Sequence, residues 1–171
     1  MEILDIYDKD RKRTGKTYPR NEEIPVGGFR LIVHILIFND KGELLIQQRA
    51  DNKKMGGLWD LTCGGACQAG EDSFEGARRE LKEELGIDFD FSQIRPILTA
   101  NFDQGFDDFY LLRKNIEITD IKLQKEEVKA ACWASRDEVL DLLSKSKFVK
   151  YKKSYLDLLF DLNDDRQFMV Y

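Results

Sequence analysis

Hydrophobic and polar positions change period several times along the chain, and each change predicts an element. "FRLIVHILIF" (29–38) is almost continuously apolar and rich in β-branched residues, which predicts a strand buried on both faces. "NDKG" (39–42) interrupts that run as a turn, and "ELLIQQR" (43–49) returns as the second arm of a hairpin. Upstream, "ILDIYDKDRKRTGKTYPR" predicts two short strands around a charged turn containing Gly15, an N-terminal hairpin within about residues 1–28. After the loop "ADNKKMGGLW", the segment "WDLTC" predicts a short strand entering a glycine-rich turn. From residue 73 the period becomes helical. Phe74, Ala77, Leu81 and Leu85 fall on one stripe, Asp72 and Glu75 have the spacing of a capping box, and Gly86 stands where helices commonly stop. Further strands are expected near 94–102, 108–116 and 129–134. Two C-terminal helices follow within about 135–162, the first capped by Ser135. Strands mixed with a few helices predict an α/β sandwich.

Composition narrows the classes. The 171 residues are 42% hydrophobic and 35% charged, enough for one compact domain over residues 1–171, and no repeat or linker divides them. The net charge of −5 argues against a partner such as long nucleic acid. The longest apolar run is too short to span a bilayer, and the acidic start lacks a signal peptide's basic region, so no membrane association and a cytoplasmic location are expected. Cys63, Cys67 and Cys132 read as reduced thiols, because zinc held by Cys63, Cys67 and His34 lacks the close-spaced ligand pairs of structural sites.

The helix over 73–85 raises a chemical question. At 100° per residue Glu80, Glu83 and Glu84 occupy an arc of about 100°, beside the apolar stripe. Like charges at i, i+4 destabilise a helix by about 0.2–0.5 kcal/mol per pair, and the C-terminal end of the macrodipole adds to the cost. A hard divalent cation relieves that repulsion. The residues alone leave a metal site and a solvated face both open.

The wider spacing carries more information. From Gly65, five residues lead to Glu71, seven more to Arg79-Glu80-Leu81, and Lys82 is followed by Glu83-Glu84, Leu85 and Gly86-Ile87. This is G-x5-E-x7-R-E-U-x-E-E-x-G-U with U a large aliphatic residue, and it resembles the Nudix box over residues 65–87 with every defined position filled. The resemblance implies a Nudix-type α/β/α sandwich with a mixed sheet and a loop-helix-loop metal site. It also implies a pyrophosphohydrolase that uses Mg²⁺ or Mn²⁺ to cleave a diphosphate linkage in a nucleoside diphosphate derivative or related small molecule. Carried onto this chain, Glu80, Glu83 and Glu84 are the implied metal ligands. Arg79 pairs with Glu71, and Gly65 lets the backbone approach the metal.

A narrower likeness extends over roughly residues 1–140, where "RADNKKMGGLWDLTCGGACQAGE" is similar to isopentenyl-diphosphate isomerases, which share the Nudix fold. It implies diphosphate contacts for Arg49 and Lys53, and an additional acid at Glu127, six residues before Trp133. Isomerase chemistry is the alternative function and a non-catalytic Nudix ligand sensor a second. Against the isomerase, Gly64 stands at its cysteine position, and Ala66 and Arg30 stand at two of its metal histidines. Asp107 and Asp108 are weaker candidates for an extra acid, and His34 is expected to be a satisfied core histidine. Phe102, Phe106, Phe109 and Tyr110 are expected in the core. The last amphipathic helix leaves a homodimer open.

Overall fold

The computed structural model describes residues 1–164. Its centre is β3 (Arg30–Phe38), whose residues from Ile35 onward have no measurable exposure. β8 (Gly105–Arg113) pairs with β3 in parallel along its whole length, and β7 (Leu98–Phe102) is antiparallel to β8. On its other side β3 meets β4 (Leu44–Arg49) at Phe38↔Leu44 only, and the two arms then diverge. The expected hairpin is therefore present as a turn but not as a ladder.

The chain from 59 to 66 enters that divergence as a wedge. β5 (Trp59–Asp60) pairs with β4, and β6 (Cys63–Ala66) pairs antiparallel with β3. Thr62 joins the two arms: its Oγ1 accepts from Ile37 N at 3.0 Å and donates to Leu45 O at 2.5 Å. The "GG" of residues 64–65 is thus strand rather than turn, a reading that local glycine content misled because the ladder to β3 is non-local. β9 (Val128–Ala134) closes the outer side of β4.

One helix layer covers each face. α1 (Ser73–Leu85) lays Ala77, Leu81 and Leu85 against Leu45, Cys63, Tyr110 and the inward side of β3. α2 (Arg136–Ser144) and α3 (Lys153–Asp164) cover the opposite face through Val139, Leu156, Leu159 and Phe160. The result is the expected α/β/α sandwich. α3 spends its apolar face on this core, so the exposed stripe that would argue for a dimer is not found among the described residues. Phe74 departs from its expected stripe and is exposed at the helix start.

β1 (Ile3–Tyr7) and β2 (Arg13–Pro19) form a separate two-stranded sheet. Their turn is Asp8–Lys12, with Asp8 Oδ1 accepting from the Asp10 and Lys12 amides, and Gly15 lies inside β2 instead. Leu4, Ile6 and Tyr18 pack on Ala66, seating the hairpin beside β6. Among the described residues no helix is long and apolar enough to cross a membrane.

Candidate active site

α1 begins and ends where its sequence directs. Asp72 accepts from Glu75 N while the Glu75 side chain accepts from Asp72 N at 3.0 Å, and Gly86 closes the helix at φ 69°. These caps fix the helix rotation, so Glu80 and Glu84 fall beside the buried stripe at 6% and 8% exposure, while Glu83 stands at the rim with half its side chain exposed.

Arg79 organises the approach to the helix. Its Nε and Nη2 donate to the two carboxylate oxygens of Glu71 at 2.7 and 3.0 Å, a bidentate pair. Nη2 also donates to Ala66 O at 2.9 Å, and Nη1 donates to Glu80 at 2.9 Å and Glu83 at 3.1 Å. Glu71 in turn accepts from Gln68 N at 2.8 Å. One guanidinium therefore ties β6, the loop after it and two helix carboxylates together. Burial alone would weaken its charge, but Glu71 and Glu80 raise its pKa. Gly65 faces Glu80, and a Cβ there would collide with that carboxylate.

Glu80 and Glu84 are short of positive charge. Burial pushes both carboxyl groups up, offset at Glu80 by Arg79. At Glu84, burial and then the neighbouring Glu80 push the value to about 8, against a hydrogen bond of 2.8 Å from Gln47 Nε2. Among the described residues no three of His, Cys, Asp and Glu stand converged as a ready-made ion site. Arg79 and Gln47 hold the carboxylates here instead.

Gln47, Glu80, Glu83 and Glu84 line one narrow cleft of about 100 Å³, as do Arg49, Lys53 and Glu127, whereas Arg79, Glu71 and Gly65 lie outside its lining. The divergence of β3 from β4 brings the lining residues together. Arg49 is braced, with Nε donating to Lys54 O at 3.0 Å and Nη1 to Asp60 at 3.0 Å, and Asp60 also accepts from Tyr151 OH at 3.0 Å. Lys53 meets Glu127 at 2.6 Å. Sequence reasoning missed Glu2, Arg20, Gln47 and Gln124 in the cleft. Arg20 carries no local signal, because only the packing of the hairpin on β6 delivers it. There, burial opposes its charge while Glu2, Glu80 and Glu127 favour it. Gln47 had a signal: it stands two residues from Leu45 and two from Arg49 on β4, which puts all three on one face.

The other candidates lie elsewhere. His34 Nδ1 is 2.8 Å from Asp107 and its ring stacks on Phe109 at 4.9 Å, a satisfied histidine. Asp108 is wholly buried with Arg11, Ser73 and Thr99. Neither aspartate lines the cleft. Phe106, Phe109 and Tyr110 are core residues, whereas Phe102, expected with them, is only half-buried on β7 with the Arg30 guanidinium over its ring. Cys63, Cys67 and Cys132 are free, and burial raises the thiol pKa of each.

Comparison with known proteins gives the family. Residues 28–158 match the family model of the NUDIX domain. An uncharacterized Nudix hydrolase of Listeria monocytogenes is 39% identical over 165 residues, covering 96% of each chain. An isopentenyl-diphosphate Delta-isomerase of Pectobacterium atrosepticum is 30% identical, over 78% of this chain and 76% of its own. The crystal structure of DR0079 from Deinococcus radiodurans shares the fold with a TM-score of 0.76 and 22% identity, covering 92% of this chain and 98% of that one. The chain belongs to the Nudix family.

Proposed function

We propose that the chain is a metal-dependent pyrophosphohydrolase that cleaves the diphosphate linkage of a small molecule, with residues 1–164 working as one domain. The observation that carries this reading is the meeting in one cleft of Glu80, Glu83 and Glu84 with Arg20, Arg49 and Lys53. Acids alone suit a cation and bases alone suit an anion, whereas facing sets suit a cation bridged to phosphate. The donor set fits Mg²⁺ or Mn²⁺: hard carboxylate oxygens, two of them buried with too little positive charge, beside a glycine whose missing Cβ leaves Glu80 room.

Glu80, Glu83 and Glu84 would hold the ion, which when bound supplies charge neutralisation at phosphorus and a more acidic attacking water. Arg79 and Glu71 keep the loop after β6 against α1, so the ligand carboxylates stay oriented. Arg49, braced by Asp60, presents its remaining N–H groups to phosphate oxygens. Lys53 neutralises further charge once Glu127 releases it, and Glu127 is then free to take a proton from water or to join the ion's ligands. A cleft of about 100 Å³ admits the phosphates and not the group they carry, since whole-ligand pockets run to roughly 300–1,000 Å³. Three unpaired thiols support a reducing, cytoplasmic setting.

Isomerisation is the weaker reading despite the isomerase-named relative. A Cβ at Gly64 would meet Val33 O at 2.5 Å and the His34 ring at 2.8 Å, so this backbone has no room for a nucleophilic cysteine there. Cys63 and Cys67 are buried with raised thiol pKa values, which disfavours thiolate chemistry. A ligand sensor does not require three helix carboxylates. Phosphate or nucleotide release is measured across nucleoside, sugar-nucleotide and isoprenoid diphosphates, with Mg²⁺ or Mn²⁺ and with chelator. Metal-dependent release from one class is expected; silence with isomerised isopentenyl diphosphate overturns the reading.

A further inference from the structure

Gln47 is a buried amide whose acceptor has no partner. It is 4% exposed on β4, and its backbone is engaged between Asp60 on β5 and Ala131 on β9. Its side chain lines the carboxylate cleft. Nε2 donates to Glu84 Oε2 at 2.8 Å, whereas Oε1 is shut from solvent with no hydrogen bond among the described residues. In the ionised form that holds a cation Glu84 needs this orientation, since the reverse would set Oε1 against a carboxylate oxygen. Buried acceptors are nearly always satisfied, so an orphan beside a candidate ion site requires a donor that arrives from outside.

We propose that Gln47 is a positioning residue of the cleft: Nε2 fixes Glu84, and Oε1 accepts a hydrogen bond from a cleft water when a divalent cation is bound. The inference rests on the metal reading of Glu80, Glu83 and Glu84. The chemistry is matched, since small hard cations keep several waters and those waters are strong donors. Gln47 is then to Glu84 what Arg79 is to Glu80, a neutral brace on one side of the acid pair and a cationic brace on the other.

The test is direct Mn²⁺ binding, followed by the free-ion paramagnetic resonance signal, with melting temperatures recorded with and without Mn²⁺. Gln47→Met keeps the length and removes both polar atoms. Its Mn²⁺ dissociation constant is expected to rise about 10–100-fold, while the metal-free melting temperature changes little, because the orphan acceptor is removed and Glu84 loses its one amide donor in the same substitution. Gln47→Glu keeps an acceptor and adds repulsion, so the metal-free melting temperature falls and the Mn²⁺-induced rise exceeds that of the wild type. Unchanged Mn²⁺ affinity in Gln47→Met overturns the inference, and so does a metal-free destabilisation alone. If the Met variant does not fold, a Mn²⁺-induced rise in Gln47→Glu no larger than in the wild type overturns it. Glu84→Gln is run in parallel. Wild-type Mn²⁺ affinity in that variant overturns the carboxylate reading itself, and the inference with it.

Discussion

A buried carboxylate lies at each end of α1, and the two are treated in opposite ways. At the N-terminal end Asp108, with no exposure, accepts from Ser73 at 2.5 Å and Thr99 at 2.6 Å and pairs with Arg11. Tyr110 OH in turn donates to Ser73 at 2.9 Å. At the C-terminal end Glu84 has one amide donor and another carboxylate for a neighbour. The macrodipole widens the contrast, favouring an anion at the first end and opposing it at the second. Burial alone therefore does not mark a site. An acid whose lone pairs are filled by fixed donors holds the fold together, while an acid left short of charge is poised for something the chain does not itself contain.

Exchanging the two acids for amides breaks or sharpens this contrast. The largest effect is expected for Glu83→Gln and Glu84→Gln, where turnover falls by about 10²–10³-fold or more while the metal-free melting temperature holds or rises. Steady-state rates and melts on the same preparations check it, and wild-type turnover removes the distinction. Asp108→Asn should behave in reverse. It costs about 2–4 kcal/mol in urea unfolding, since it leaves Arg11, Ser73 and Thr99 facing the wrong partner, yet turnover per folded molecule stays close to wild type.

The smallest effect is in pH. Glu84 moves from an ordinary 4.5 to about 8 on folding. Between those values the folded metal-free chain keeps a proton that the unfolded chain has released. Glu84's contribution to stability is therefore full below about pH 4.5, is lost as pH rises, and levels off above about 8. Glu84→Gln should flatten that slope in denaturant titrations at several pH values; an equal slope in both proteins assigns it to other groups.

Legibility in the sequence followed the range of the interactions. α1 was readable to the residue because its stops are local, a capping box at Asp72 and a glycine at 86. The Arg79–Glu71 pair is legible only through resemblance to a family pattern; in the structure the two side chains meet at 2.7 Å. β6 was misread because its glycines signal a turn within four residues, while its ladder is to a strand some 30 residues earlier. Arg49 and Lys53 were named, but the cleft that unites them with the helix depends on β3 and β4 parting after one pair. Arg20 depends on how a separate sheet seats itself, which no short window records.

The parallel register of β3 with β8, from Arg30↔Gly105 to Phe38↔Arg113, bears on how the molecule is made. Synthesis delivers the apolar "LIVHILIF" strand early, while its main partner begins at residue 105. Until then the growing chain carries a bare, sticky edge, with the whole box segment already emerged behind it. Long-range parallel pairing of this kind is slow to nucleate and prone to association while it waits. Chains halted between residues 38 and 105 therefore keep that edge unpaired, and the cleft assembles late, only when the chain from residue 105 onward locks the central strand in place.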